Sequence, residues 1–138
     1  MLFVIVESPY AGDVEANEAY ARRALHHSLV VCGEAPFASH LLYTQPGVLD
    51  DLIPDERQHG IDAGLELAKR ADLSAFYVDR GISRGMKYGL RSAIKNGRLI
   101  VIRSLDGMTH AEWAATIDRD CTDEQDKAPW LEYELISD

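Results

Sequence analysis

Short runs of β-prone apolar residues alternate with helical segments along the chain, and this alternation restricts the fold more than any other feature. Strands are predicted at residues 2–6, 35–39, 73–78 and 99–102, with a fifth at 130–136. The first run, Leu2 to Val6, is apolar throughout, a pattern typical of a strand covered on both faces. Strands separated by helices predict an α/β fold, a flavodoxin-like or Rossmann-like open parallel sheet of about five strands with flanking helices.

Helical periodicity fills the intervals between these strands. Helices are predicted at residues 14–31, 55–70, 86–95 and 108–117. Residues 40–54 form a connection that is long enough to indicate a functional loop. The length of 138 residues fits a single domain spanning 1–138.

The net charge of −9 argues against a partner that is a nucleic-acid polymer or an anionic membrane. Two regions depart from this average. Residues 118–138 carry a local charge of −6 and are predicted to be a solvated tail or edge. Residues 80–103 hold seven bases and no acid, which indicates either a local anion site or a basic helix face that pairs with acids elsewhere.

Several classes of protein are not expected. No apolar run reaches the roughly 20 residues that cross a bilayer, and the first residues lack the pattern of a signal peptide. Cys32 and Cys121 match no disulfide or zinc spacing. We therefore expect a cytoplasmic protein with reduced thiols, without a metal or another cofactor.

Two carboxylates follow predicted strands, and ligands of open α/β sheets bind at the carboxyl ends of the strands. Glu7 ends the first strand and Asp79 follows the third. In a partly dry crevice each could be a general base or a nucleophile toward an oxocarbenium-like centre. The alternative is that one of them only caps a loop.

Other polar residues at the same strand ends suit a small anionic ligand. The sequence Ser83-Arg84-Gly85 before a helix aims free N–H groups and a positive dipole at a phosphate or carboxylate. Tyr10 could stack on a base or belong to the core. The candidate ligand-binding residues are Ser8, Tyr10, Gly12, His40, Ser83, Arg84, Gly85, Lys87 and Tyr88.

Several segments resemble the nucleoside 2-deoxyribosyltransferase-like superfamily, which includes deoxynucleoside-monophosphate N-glycosidases, and particularly its branch common in phage genomes. The resemblance spans roughly residues 2–103. It is carried by Phe3 to Tyr10, by Asn17 with Tyr20-Ala21-Arg22, by Ala71-Asp72-Leu73, and by Ser83 to Tyr88.

The resemblance implies a covalent mechanism that this sequence does not reproduce directly. The family pattern resembles Ser-x-Gly-x-x-Tyr-Glu-x-Gly, with the Glu as nucleophile; Ser83, Gly85 and Tyr88 match, whereas Gly89 stands at the Glu position and Arg91 at the second Gly. The family's substrate-positioning Asp corresponds best to Asp62. Homo-oligomers that complete the pocket are also implied.

These observations predict a protein that binds a nucleotide or nucleoside phosphate, with cleavage or transfer of the N-glycosidic bond as the reaction. The candidate catalytic residues are Glu7, Asp79 and Asp62. One alternative is a catalytically silent protein that sequesters or senses a nucleotide signal, and Gly89 favours it. Another is an interaction protein whose acidic segment docks a basic partner.

Overall fold

The computed structural model describes residues 1–137, and in it five parallel strands form one sheet in the order β2-β1-β3-β4-β5. The strands are β1 (Phe3–Glu7), β2 (Ala35–Phe37), β3 (Leu73–Tyr77), β4 (Leu99–Ser104) and β5 (Leu135–Ser137). The helices are α1 (Val14–His26), α2 (Ser39–Leu42), α3 (Pro54–Ala68), α4 (Arg84–Lys95), α5 (His110–Asp120) and α6 (Glu124–Leu131), and α1 continues into a π-helical turn (His27–Val31). The predicted α/β fold with an open parallel sheet is confirmed.

Successive side chains of the buried strands point to opposite faces of the sheet, so the core consists of two apolar clusters, one on each face. In β3, Leu73, Ala75 and Tyr77 pack in the cluster with α1. Phe76 lies in the other cluster, together with apolar side chains of α4, α5 and α6. All five residues of β3 are buried, as expected for a central strand covered on both faces.

The strand order places a topological switch point between β1 and β3. From β1 the chain crosses to β2 on one side, whereas from β3 it crosses to β4 on the other. The two connections diverge and leave a crevice outside the carboxyl ends of β1 and β3, where ligands of such sheets bind. Glu7 and Asp79 stand at these ends, so the sheet brings the two predicted carboxylates to one edge.

The acidic segment at residues 118–138 was predicted to be a solvated tail or edge, and its described part is folded rather than a tail and ends in β5, an edge strand of the sheet. Asp123 caps α6 by accepting a hydrogen bond from the Asp126 N–H at 2.8 Å. Trp130 lies in this helix and not in the predicted strand 130–136, of which only Leu135 and Ile136 are in β5. The Trp130 side chain is 1% exposed and packs edge to face on Phe76.

Most of the basic residues at 80–103 have partners inside the protein, which favours the paired-face interpretation. Lys87 and Arg91 lie 3.2 and 3.9 Å from Asp126 carboxylate oxygens. Arg103 forms a buried ion pair with Glu34 at 2.9 Å. Arg80 donates to Asn17, and Arg98 to Ser74 and the Ala68 carbonyl. Within residues 1–137, only Arg84 and Lys95 of the seven have no hydrogen bond or ion pair.

Two further departures from the predicted elements concern the connections. The predicted loop at 40–54 begins inside a short helix, α2, which starts at Ser39. The predicted first helix, 14–31, changes to π-helical geometry at His27.

None of the helices at residues 1–137 has the length and apolarity needed to span a membrane.

Candidate functional site

Glu7 is a half-buried carboxyl group at the carboxyl end of β1, on the sheet face that α4 covers. Within residues 1–137 it takes part in no side-chain hydrogen bond or ion pair, and Arg98 acts on it only at a distance. Burial raises the pKa of Glu7 from 4.5 to about 8, and the positive charge of Arg98 offsets only part of this rise. A carboxyl group with such a pKa exchanges protons near neutral pH, as a general acid or base requires.

Gly89 provides the space in which the Glu7 carboxyl group lies. A Cβ atom on Gly89 would stand 2.5 Å from Oε2, 2.8 Å from Cδ and 3.0 Å from Oε1 of Glu7. The carboxyl group from β1 therefore lies directly against α4 at Gly89.

Asp79 has a different environment, because its carboxylate oxygens accept four hydrogen bonds. They accept from the Tyr20 hydroxyl at 2.5 Å, the Ser104 hydroxyl at 2.5 Å, the Leu105 N–H at 2.7 Å and the Asp106 N–H at 3.2 Å. Burial acts to raise the pKa of Asp79, but these hydrogen bonds outweigh it and lower the pKa. The group ties the ends of β3 and β4 to α1, which is the loop-capping alternative.

Ser8, the residue after Glu7, forms a hydrogen-bonded pair with His40. The Ser8 Oγ lies 2.7 Å from the His40 Nε2, and Ser8 is buried. His40 follows the end of β2, so neighbouring parallel strands deliver the two side chains. Burial lowers the pKa of His40 from 6.5 to about 4, which keeps the imidazole neutral at physiological pH.

The start of α4 offers backbone donors, as the sequence predicts. Ser83 is its N-cap, with the side chain accepting from the Met86 N–H at 3.2 Å. Arg84 and Gly85 are exposed in the first turn. The preceding loop turns at Gly81, whose φ of +92° and close approach to the Asp120 carboxylate both require glycine. Asp120 accepts the Ile82 N–H at 2.8 Å and so holds this loop.

Two predicted ligand-binding residues of α4 make other contacts. The Lys87 ammonium donates to the Asp120 carbonyl at 2.5 Å and lies 3.2 Å from Asp126, so it joins α4 to the C-terminal helices. Tyr88 is 52% exposed, with the Arg91 guanidinium 5.9 Å from its ring centroid. Of the predicted phosphate-binding cations, Arg84 alone is left without a partner in the described chain.

Asp62 lies apart from these groups on an exposed surface of α3. Its carboxylate accepts from Gln58, one turn earlier in the same helix, at 2.9 Å. Gly60 and Gly64 face Leu49 and Ser39, respectively. Two residues turn a helix by about 200°, so Asp62 points away from that contact.

Tyr10 and Gly12 line a cleft of about 630 Å³ between the turn after β1 and the loop that precedes α3. The opposite wall includes Leu49, Asp51 and Leu52. The volume is within the usual range for a small-molecule site. Gly12 has a φ of +101°, so the backbone of this wall needs glycine. A second cavity, of about 310 Å³, lies between the same loop and α3.

Asn17 connects the two halves of the crevice and is not among the site residues predicted from the sequence. Its amide donates to the carbonyls of Tyr10 and Ala11 at 3.0 and 3.1 Å, and its oxygen accepts from Arg80 at 2.7 Å. The signal was a polar amide in the buried stripe of α1, since buried amides are almost always hydrogen-bonded. Gly89 and Asp120 gave no comparable signal, because their roles depend on contacts across the fold.

The candidate site thus consists of Glu7 against Gly89, the Ser8–His40 pair, the start of α4 and the neighbouring cleft. Within residues 1–137 no group of three or more His, Cys, Asp or Glu side chains is arranged to hold a metal ion.

Comparison with known proteins shows the family to which the chain belongs. No match was found among curated proteins. A family model described as Domain of unknown function (DUF7768) matches residues 2–103, which include β1 and all but the last residue of β4. Because this match covers most of the chain, the protein belongs to that family.

Proposed function

We propose that the protein binds a nucleoside or nucleoside phosphate and hydrolyses or transfers its N-glycosidic bond, with Glu7 as the acid/base group. The observation that supports this most is the position of the Glu7 carboxyl group against Gly89. The resembled family has its carboxylate at that helix position, and this chain supplies one from the adjacent strand.

The protonation of Glu7 determines which step it can perform. With a pKa of about 8, the group is mostly a neutral acid at pH 7. When the bond between the anomeric carbon and the base breaks, the electron pair leaves with the base, and Glu7 donates the proton that the base needs. The resulting carboxylate then accepts a proton from the water or sugar acceptor that attacks the anomeric carbon. The cycle restores the acid and consumes one acceptor for each base released.

Binding is assigned to the surrounding groups. The exposed N–H groups of the first turn of α4, with Arg84, suit a phosphate. The cleft beside Tyr10 has the size and partly apolar walls that suit a base. The hydrogen bonds of Asn17 and Arg80 hold the two loops in a fixed relation, so both parts of a ligand meet a preformed surface.

A catalytically silent binder is the second candidate, and the occupied contacts of Asp79 and Lys87 favour it. Asp79 already accepts four hydrogen bonds, and Lys87 is joined to Asp120 and Asp126. Glu7 is then the single candidate acid of the site, whereas glycosidases commonly use two carboxyl groups. A sequestering or sensing protein would need the binding surface without this chemistry.

The test is a mass-spectrometric and NMR screen of the protein with nucleosides, nucleoside 5′-monophosphates, cyclic nucleotides and ADP-ribose. Released free base supports the enzyme, whereas tight binding of an intact ligand supports the silent binder. The absence of both binding and release would refute the nucleotide proposal.

The variant Glu7→Gln keeps the shape of the side chain and removes its exchangeable proton. Base release is expected to be lost while ligand binding remains. Glu132→Gln is a matched control, because it makes the same chemical change on an exposed side chain. Unchanged release in Glu7→Gln would remove Glu7 from the mechanism.

A further inference from the structure

The hydrogen bond between Ser8 and His40 indicates which ring nitrogen of His40 carries the proton, because the two groups have few possible partners. Ser8 is 6% exposed, and its hydroxyl has one side-chain partner within residues 1–137, the His40 Nε2 at 2.7 Å. A hydroxyl group donates one proton, and a neutral imidazole has one N–H and one bare nitrogen. Only two arrangements are therefore open to the pair.

In one arrangement, Nε2–H donates to Ser8, and the Ser8 proton is left without an acceptor in a buried position. Leaving a buried donor unpaired costs about 1–3 kcal/mol. In the other, Ser8 donates to a bare Nε2, and the imidazole proton is on Nδ1. This second arrangement satisfies both members of the pair, so it is the more stable one.

The His40 Nδ1 is accessible. It has no hydrogen-bond partner within residues 1–137, and it is not among the buried polar atoms that lack one, so it reaches solvent. His40 follows the carboxyl end of β2, and Ser8 follows the end of β1. The ring thus presents one nitrogen to Ser8 and the other to solvent.

We propose that Ser8 is a positioning residue that fixes His40 as the Nδ1–H tautomer, and that this N–H donates a hydrogen bond to an acceptor oxygen of the bound nucleoside or nucleotide. The recognition half of this inference rests on the proposed function. His40 is then a neutral donor that reads a hydroxyl or carbonyl oxygen, and proton transfer is left to Glu7. Burial of the imidazole, which lowers the pKa of His40, agrees with that division of roles.

The tautomer is tested on the ligand-free protein by long-range ¹H–¹⁵N NMR of the histidine rings, with His40→Asn used to assign the His40 signals. We expect a protonated Nδ1 and a bare Nε2 in His40, and a mixture of tautomers in Ser8→Ala. A protonated Nε2 in the native protein, or an unchanged spectrum in Ser8→Ala, would overturn the positioning role.

Recognition is tested by calorimetric titration with the four common 2′-deoxynucleoside 5′-monophosphates. His40→Asn retains an N–H donor at the Nδ1 position, whereas His40→Gln retains a group at the Nε2 position and loses the outward donor. We expect His40→Gln to weaken binding about tenfold and His40→Asn to weaken it less than threefold. Equal losses in both variants, or none, would overturn the recognition role. If native protein binds none of these nucleotides, the recognition role is overturned; the proposed function is decided separately by the wider panel of nucleosides and nucleotides, and the NMR result still decides the tautomer.

Discussion

Replacing Gly89 with Ala tests whether the position of the Glu7 carboxyl group matters, without removing that group. The new methyl group would lie 2.5 Å from the Glu7 Oε2, whereas ordinary contacts begin at 3.4 Å, so the carboxyl group must withdraw by about 1 Å. The atoms that must move are the far end of a flexible side chain. The change is therefore inexpensive for the fold.

Gly89→Ala is expected to maintain or raise the stability of the protein and to lower its activity. Alanine inside a helix is favoured over glycine by about 0.5–1 kcal/mol, so the melting temperature is expected to stay level or rise. A displacement of about 1 Å at a reacting group can reduce the rate about 100-fold. The rate of base release, followed by chromatography, should fall by that order while the folded state persists.

A double-mutant cycle separates this mechanism from a general disturbance of α4. In a Glu7→Ala background there is no carboxyl group to displace, so adding Gly89→Ala should leave the ligand affinity of that background unchanged. Undiminished base release in the single Gly89→Ala variant, or a loss of ligand affinity when Gly89→Ala is added to Glu7→Ala, would refute the inference that Gly89 accommodates Glu7.

Three other predictions concern protonation and packing. The pKa of Glu7 is about 8 in the folded protein and 4.5 in the unfolded chain, so the free energy of unfolding should fall as the pH rises between these values. In denaturant titrations, the native protein should lose up to about 1.4 kcal/mol per pH unit relative to Glu7→Gln. The same pH dependence in both proteins would contradict the raised pKa. Glu34→Gln leaves the buried Arg103 charge uncompensated and should cost about 3–5 kcal/mol in urea unfolding, and a loss below 1 kcal/mol would show that water reaches the pair. Trp130→Ala should cost about 3–5 kcal/mol by calorimetry, whereas no loss would mean that α6 is not part of the core.

The sequence was sufficient to predict the fold and the edge of the sheet at which the candidate site lies. The apolar runs at β1, β3 and β4 are separated by strong helix signals, and the rule for parallel strand ends then brings Glu7, Ser8 and His40 together. Hydrophobic periodicity predicts the strands and helices, and their alternation along the chain predicts the parallel topology.

Other features depend on contacts between distant residues, and the sequence could not supply them. Lys87 in a basic stretch looked free for phosphate, but its partners lie 33 and 39 residues away. α6 has eight residues with an internal Pro129 and little amphipathic pattern, so the apolar residues near Trp130 resembled a strand. Glu7 and Asp79 are both acids at strand ends, so the sequence could not distinguish their environments: within residues 1–137 Glu7 has no side-chain hydrogen bond or ion pair, whereas Asp79 accepts four hydrogen bonds.

The short strand β5 covers part of one edge of the sheet. It pairs three residues, beginning at Leu135, with the end of β4. Without β5, this edge of the sheet would be the six-residue run Leu-Ile-Val-Ile-Arg-Ser of β4, with unpaired N–H and C=O groups along an apolar, β-branched sequence. Such an open edge is a template for pairing with other chains. The family match ends at Arg103, before β5, so a protein trimmed to the matched residues would carry that exposed edge into solution.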